Sequence, residues 1–185
     1  MPQSLTGHAG LQTGRAAAGR GTCHIREVVG PGDFHAVRAL VESTGYFRAD
    51  EIDIAVELVE ERLARGAASG YEFVFAEIGA TLVGYACYGP IPCTIASFDL
   101  YWIAVDPRCQ RNGIGRALMA AVESRVADLG GERIFIDTSG KDQYAKTRAF
   151  YERNGFHCEA RLRDFYSPGD DRVIYAKALA PSTNS

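Results

Sequence analysis

Asp99-Leu-Tyr-Trp-Ile-Ala-Val-Asp-Pro-Arg-Cys-Gln-Arg-Asn-Gly-Ile-Gly-Arg-Ala-Leu118 decides how this chain folds. From Phe98 to Val105 the residues are aromatic and β-branched, as in a strand. From Gly113 onward the apolar positions fall at Ile114, Leu118, Ala121, Val122, Val126 and Leu129, the spacing of a helix face. A strand therefore runs through a short glycine-bearing loop straight into a helix. The first turn of a helix leaves its amide N–H groups unpaired and adds partial positive charge, so main chain alone can hold an anion there. Gly113 and Gly115 would let a phosphate approach the backbone, and Arg108, Arg111 and Arg116 add full charge around it. A diphosphate-sized anion site is the expectation; a plain strand-to-helix turn with a basic rim is the alternative. Two other phosphate loops fit poorly. There is no Gly-x-x-x-x-Gly-Lys-Ser/Thr, and Gly-x-Gly-x-x-Gly would need glycine where Leu118 stands.

Gln110-Arg-Asn-Gly-Ile-Gly115, with Val105 five residues ahead of Gln110, resembles the signature of the GNAT superfamily of acetyl-CoA-dependent N-acyltransferases. Thr147-Arg-Ala-Phe-Tyr-Glu-Arg-Asn-Gly-Phe156 is similar to the family's Phe-Tyr-x-x-x-Gly-Phe segment. The two stand in the family's order, separated by a helix, a strand and another helix.

Outward from these motifs, 185 residues with 46% hydrophobic content suit one globular domain, expected over 23–180, with a disordered tail at 1–22 and a flexible end at 181–185. The leader carries no acidic residue and no apolar signal-peptide core, and its glycines would spoil an amphipathic import helix. A net charge of -3 gives no general attraction to nucleic acid or to an anionic membrane, and no run reaches the ~18 apolar residues of a membrane span. The five cysteines form no Cys-x-x-Cys pair and the four histidines are scattered, so neither a disulfide framework nor a metal site is expected. A cytoplasmic setting fits that usage.

The periodicities predict a strand from Cys23 to Val29, a helix capped at Asp33 and ending before Gly45, and a second helix capped at Asp50 and ended by Gly66. Strands follow at Tyr71 to Ile78 and Thr81 to Tyr88, then the central strand and the long helix. A strand at Arg133 to Asp137, a helix at Asp142 to Asn154, and strands at Phe156 to Tyr166 and Arg172 to Ala178 complete the chain. The order is β-α-α-β-β-β-α-β-α-β-β. The resemblance then implies an α/β (α+β) fold with a mixed, mostly antiparallel sheet of six to seven strands, its fourth and fifth strands splayed into a V.

The same resemblance implies acetyl-CoA as acyl donor, no metal, and transfer to a primary amine of a small molecule by direct attack in a ternary complex. It places main-chain groups of Ile103, Ala104 and Val105 on the acetyl and pantetheine part, and Gln110, Arg111, Asn112, Gly113, Ile114, Gly115 and Arg116 on the pyrophosphate. Tyr151 aligns with the tyrosine that protonates the leaving sulfur. Asp99 stands where members carry a glutamate as general base, and by strict alternation it shares a face with Tyr101, Ile103 and Val105. A carboxylate near 3.9 taking a proton from an ammonium near 10 faces ~8 kcal/mol, so Asp99 would work through water or orient the amine unless its pKa is raised. A charge on a solvated strand face is its alternative reading. The family's pantetheine-binding asparagine is replaced by Tyr144, with Ser139, Lys141 or Gln143 as substitutes. Tyr46 and Phe47, in the linker that overhangs the acceptor pocket, and Asp164 and Tyr166, in the acidic and aromatic last hairpin, are substrate-facing candidates; Asp170 and Asp171 share that hairpin. A catalytically silent acyl-CoA-binding module and a protein or peptide N-acetyltransferase are the competing readings. Pairing through the terminal hairpin is common in the family, which leaves a homodimer open.

Overall fold

The structure, a computed structural model, describes residues 22–180; the expected tail and the chain end lie outside the described residues. The elements come in the expected order: β1 (Cys23–Arg26), α1 (Asp33–Thr44), α2 (Ala49–Arg65), β2 (Glu72–Ile78), β3 (Thr81–Pro90), β4 (Ser97–Val105), α3 (Ile114–Asp128), β5 (Arg133–Ser139), α4 (Ala145–Arg153), β6 (His157–Ser167) and β7 (Asp170–Ala178). The strands form one seven-stranded sheet ordered β1-β2-β3-β4-β5-β7-β6, antiparallel except for β4 against β5. No helix among the described residues is long and apolar enough to cross a membrane.

Strand alternation divides the apolar residues between two faces. Phe73, Phe75, Tyr85 and Cys87 meet Val37, Val41 and Val59 of α1 and α2 on one side. Val74, Ala76, Ala86 and Tyr88 meet Leu118, Met119, Val122 and Val126 of α3 on the other. Val37, Val59 and Leu118 are fully buried, each side chain contributing about 1.5–3 kcal/mol. The expected caps differ. Asp33 does not cap α1, whose N-cap is Gly32; instead its carboxylate accepts from the Gly30 N–H and pairs with Arg26. α2 starts from Arg48, where the Glu51 carboxylate accepts from the Arg48 N–H, so the cap is set two residues before Asp50.

Two features of β4 position everything that follows. Its parallel pairing with β5 is limited to Ser97↔Arg133, Phe98↔Ile134 and Asp99↔Phe135, after which β4 runs on to Val105 paired with β3 only. β5 leaves with β7, to which it is paired from Arg133↔Ala178 to Ser139↔Arg172. The sheet therefore opens as a V with Asp99 at its apex. On the other edge of β4, Cys87 pairs with Trp102 but Tyr88 pairs with Leu100, so Tyr101 is an extra, bulged residue. The bulge cancels strict alternation. Phe98 and Leu100 share the α3 face with Ile103 and Val105, whereas Asp99 looks toward the face of Trp102 and Ala104. The expected parity of Asp99 with Ile103 and Val105 is thus corrected by one inserted residue. Gly89 makes room for it: a Cβ there would lie 2.1 Å from the Gly70 carbonyl and 3.2 Å from the Tyr101 ring.

Candidate active site

Beyond the apex, one edge of β4 has no neighbouring strand. The Asp106 N–H donates to the Val83 carbonyl of β3 at 2.9 Å. Alternation then turns the main-chain groups of Ala104 toward β3 and those of Ile103 and Val105 away from it, into the V. Ala104 is corrected accordingly: its main chain belongs to the β3 ladder and its side chain to the α1–α2 core.

The strand edge leads directly into the start of α3. The Ala117 N–H donates to the Gly113 carbonyl at 2.9 Å, the first bond of the helix, so the N–H groups of Ile114, Gly115 and Arg116 have no intrahelical acceptor. Gly113 is required because its φ is +80°. At Gly115 a Cβ would lie 3.2 Å from Cε2 of Phe150, so any larger residue would make that ring give by a few tenths of an ångström. The close approach is thus to a side chain of α4, where the sequence suggested only a ligand.

These groups line one cleft of about 810 Å³, together with Gln110, Arg111, Arg116 and Tyr46. The Gln110 side-chain amide donates to the Val105 carbonyl at 3.3 Å. Asn112 is exposed beside the cleft, and the Ile114 side chain is buried in the core, leaving its N–H as its contribution. Arg108 does not join the basic rim. It is ion-paired with Asp106 at 2.6 Å, and that bond holds the Asp106 carboxyl below the usual carboxylate range. Its place is taken by Lys146 and Arg153. With Thr147, Phe150 and the C-cap Asn154 they form one stripe along α4 facing the cleft, and that helical spacing is the signal in the sequence that would have found them.

Phe150 lines the cleft, whereas Tyr151 does not. Tyr151 is 5% exposed, ringed by Phe150, Phe156 and Tyr175 at 5.7, 6.3 and 5.8 Å between ring centres. It lies in the apolar cluster on which the cleft-lining Ile103, Val105 and Phe150 pack. Burial, with Tyr175 adding to it, pushes its phenol above the ordinary tyrosine value.

A helix N-terminus with a basic rim, joined to a strand edge that its neighbour has left, is a cleft for an extended molecule with a phosphorylated end. The sequence matches the model of the acetyltransferase (GNAT) family over residues 36–156. The chain belongs to the GNAT acetyltransferase family. A structure assigned to that family, from Desulfovibrio desulfuricans, shares 52% identity with a TM-score of 0.85, covering 86% of this chain and 100% of that one. An aminoglycoside 6'-N-acetyltransferase complexed with coenzyme A (21% identity, TM-score 0.69, 87% and 99% covered) shares the fold. So does the ribosomal-protein-S18-alanine N-acetyltransferase of Escherichia coli (20%, 0.69, 89% and 99%). A search of curated proteins finds no match.

In this GNAT acetyltransferase the side of the V away from α3 carries the other predicted residues. Asp99 is half-buried; burial raises its pKa, nearby Asp137 raises it further, and Arg172 opposes both. Arg172 is ion-paired with Asp137 and stacks 4.9 Å from the Phe165 ring centre. Of the linker pair, Tyr46 is exposed at the cleft and lies 6.1 Å from the Tyr144 ring, whereas Phe47 packs at 4.8 Å on Trp102 and plugs the α1–α2 core. Ser139 and Lys141 are occupied with Asp170, which fastens the β5–α4 connection to the start of β7. Asp164 lies in an irregular stretch of β6, with φ +52°: its carboxylate accepts from the Gly169 N–H, and its own N–H donates to Asp171, which Arg161 also holds. Tyr166 stands exposed beside Phe165, with which it makes an edge-to-face pair at 5.1 Å.

Proposed function

We propose that the chain transfers the acetyl group of acetyl-CoA to a primary amine of a small molecule. The observation that carries this reading is the continuity of one surface: the main-chain edge at Ile103 and Val105, left by β5 and taken only at the Val105 carbonyl by Gln110, shares one cleft with the unpaired N–H groups at the start of α3. Arg111, Arg116, Lys146 and Arg153 supply the charge to hold a pyrophosphate there, and the strand edge can take an amide-bearing pantetheine arm as a substitute for β5. Bound acetyl-CoA supplies an activated thioester.

The residues of the chain then divide the remaining work. Asp99, at the apex, receives the acceptor amine and accepts its proton directly or through water, so that the nitrogen can form the new C–N bond. Its raised pKa narrows the gap between a carboxylate and an ammonium, which the unperturbed values would make ~8 kcal/mol. The N–H of Ile103 or Val105 is placed to stabilise negative charge developing on the carbonyl oxygen. As the C–S bond breaks, Tyr151 is the assigned proton donor to the sulfur, a role that requires its hydroxyl to reach the cleft past the Ile103, Val105 and Phe150 side chains packed on its cluster and that works against its raised pKa.

The test is release of free thiol from acetyl-CoA with a panel of small amines, amino acids and peptides. Amine-dependent release supports the reading. Release with peptides alone would move the assignment to a peptide N-acetyltransferase, and tight binding of CoA with no release would leave a silent binding module.

A further inference from the structure

The acceptor side of the V combines aromatic surface with carboxylates that are mostly paired. Tyr101 packs edge-on against Tyr71 at 5.5 Å, Tyr46 lies against Tyr144, and Phe165 against Tyr166. Tyr101, Tyr46, Phe165 and Tyr166 are 38%, 45%, 51% and 49% exposed, an unusual concentration of large rings on one side of a sheet. The last pair is carried outside the ladder. β6 pairs Leu162 with Arg172 and next Ser167 with Asp170, so Arg163 to Tyr166 bulge out opposite Asp171 alone.

The carboxylates of the apex and the hairpin turn are Asp99, Asp137, Asp164, Asp170 and Asp171. Asp137 is neutralised by Arg172, Asp170 by Lys141 and Asp171 by Arg161, and Asp164 is bonded to the Gly169 N–H. Among the described residues, Asp99 alone of the five has neither a cation in ion-pair contact nor a hydrogen-bond donor. A polycationic acceptor would need several such acids. This face offers one, half-buried, with Tyr101 beside it and, on the same side of the sheet, the Arg172–Asp137 pair, which carries the Phe165 ring 4.9 Å from the guanidinium.

We infer that the acceptor is a monoamine joined by a short chain to an aromatic ring, its ammonium at Asp99 and its ring against the Phe165–Tyr166 pair. The inference rests on the transfer reading above. A lone ammonium offsets the desolvation of one unpaired carboxylate, and a flat ring gains offset or edge contacts that a linear chain cannot make.

The experiment compares kcat/KM of the full chain for phenylethylamine, butylamine, spermidine and a short peptide with a free N-terminus, with acetyl-CoA binding followed by calorimetry. Phenylethylamine is expected to exceed butylamine about tenfold, the effect of one or two aromatic contacts. Phe165→Ala should bring that ratio toward one; Phe165→Leu, which keeps apolar volume without the π face, should lower it part-way and serves if the alanine variant does not fold. Equal rates for the two amines, or preference for spermidine or the peptide, would overturn the inference while leaving acetyl transfer intact. Acetyl-CoA binding with no turnover of any amine would overturn the transfer reading and the inference together.

Discussion

Asp99 occupies the last rung that β4 and β5 share, where a carboxylate is half desolvated and faces Asp137 and Arg172 from two other strands. Its pKa is raised, so the ionised form needed for proton acceptance is lost at a higher pH than for a free aspartate. At saturating amine, kcat should fall on acidification through a value above about 3.9. Asp99→Asn should lower kcat about 10²-fold and flatten that limb, measured as kcat against pH. Tyr151→Phe keeps the ring contacts with Phe156 and Tyr175 and removes only the hydroxyl. It should leave the melting temperature nearly unchanged and lower kcat about 10²-fold; an unchanged kcat would reduce Tyr151 to a packing residue. The motifs made both residues visible in the sequence. The direction in which Asp99 points was not visible, because nothing between Phe98 and Val105 marks Tyr101 as the extra residue; the mark is Gly89 on the neighbouring strand, whose missing Cβ has meaning only once the two strands are paired.

Between β4 and α3 the important relation is that of two helices. Gly115 in the first turn of α3 touches Phe150 of α4, and Phe150 is itself a wall of the cleft. Gly115→Ala should therefore push that ring into the cleft, costing about 1 kcal/mol of stability and weakening CoA binding about tenfold, read by thermal melting and calorimetry. The order of elements was legible throughout, since each helix and strand carries its own period and most ends carry glycine or proline. The details of the site were less so. Arg108 looked like a rim cation because its partner, Asp106, lies two residues away in a turn whose shape the sequence does not state. Ser139 and Lys141 looked free for a ligand because Asp170, which occupies both, is distant along the chain.

At the scale of the molecule, a chain of net charge -3 gathers Arg111, Arg116, Lys146 and Arg153 around one cleft. Attraction of a polyanion to that cleft is local and screenable. CoA at about a hundred times its Kd should stabilise the fold by about 2.7 kcal/mol, and the accompanying rise in melting temperature should shrink as salt is raised from about 0.05 to 0.5 M. A rise insensitive to salt would mean that binding rests on the strand edge and apolar contacts.

The bulge from Arg163 to Tyr166 has an evolutionary consequence. Its frame is held by Asp164, whose carboxylate accepts from the Gly169 N–H and whose own N–H donates to Asp171, and by Asp171 to Arg161, with no backbone or carboxylate bond resting on the side chains at 165 and 166. Substitutions at Phe165 or Tyr166 therefore bear on acceptor choice with little burden on folding. A descendant could exchange these two rings for acids or small polar residues and change its clientele, inheriting the donor cleft, the apex carboxylate and the sheet unaltered.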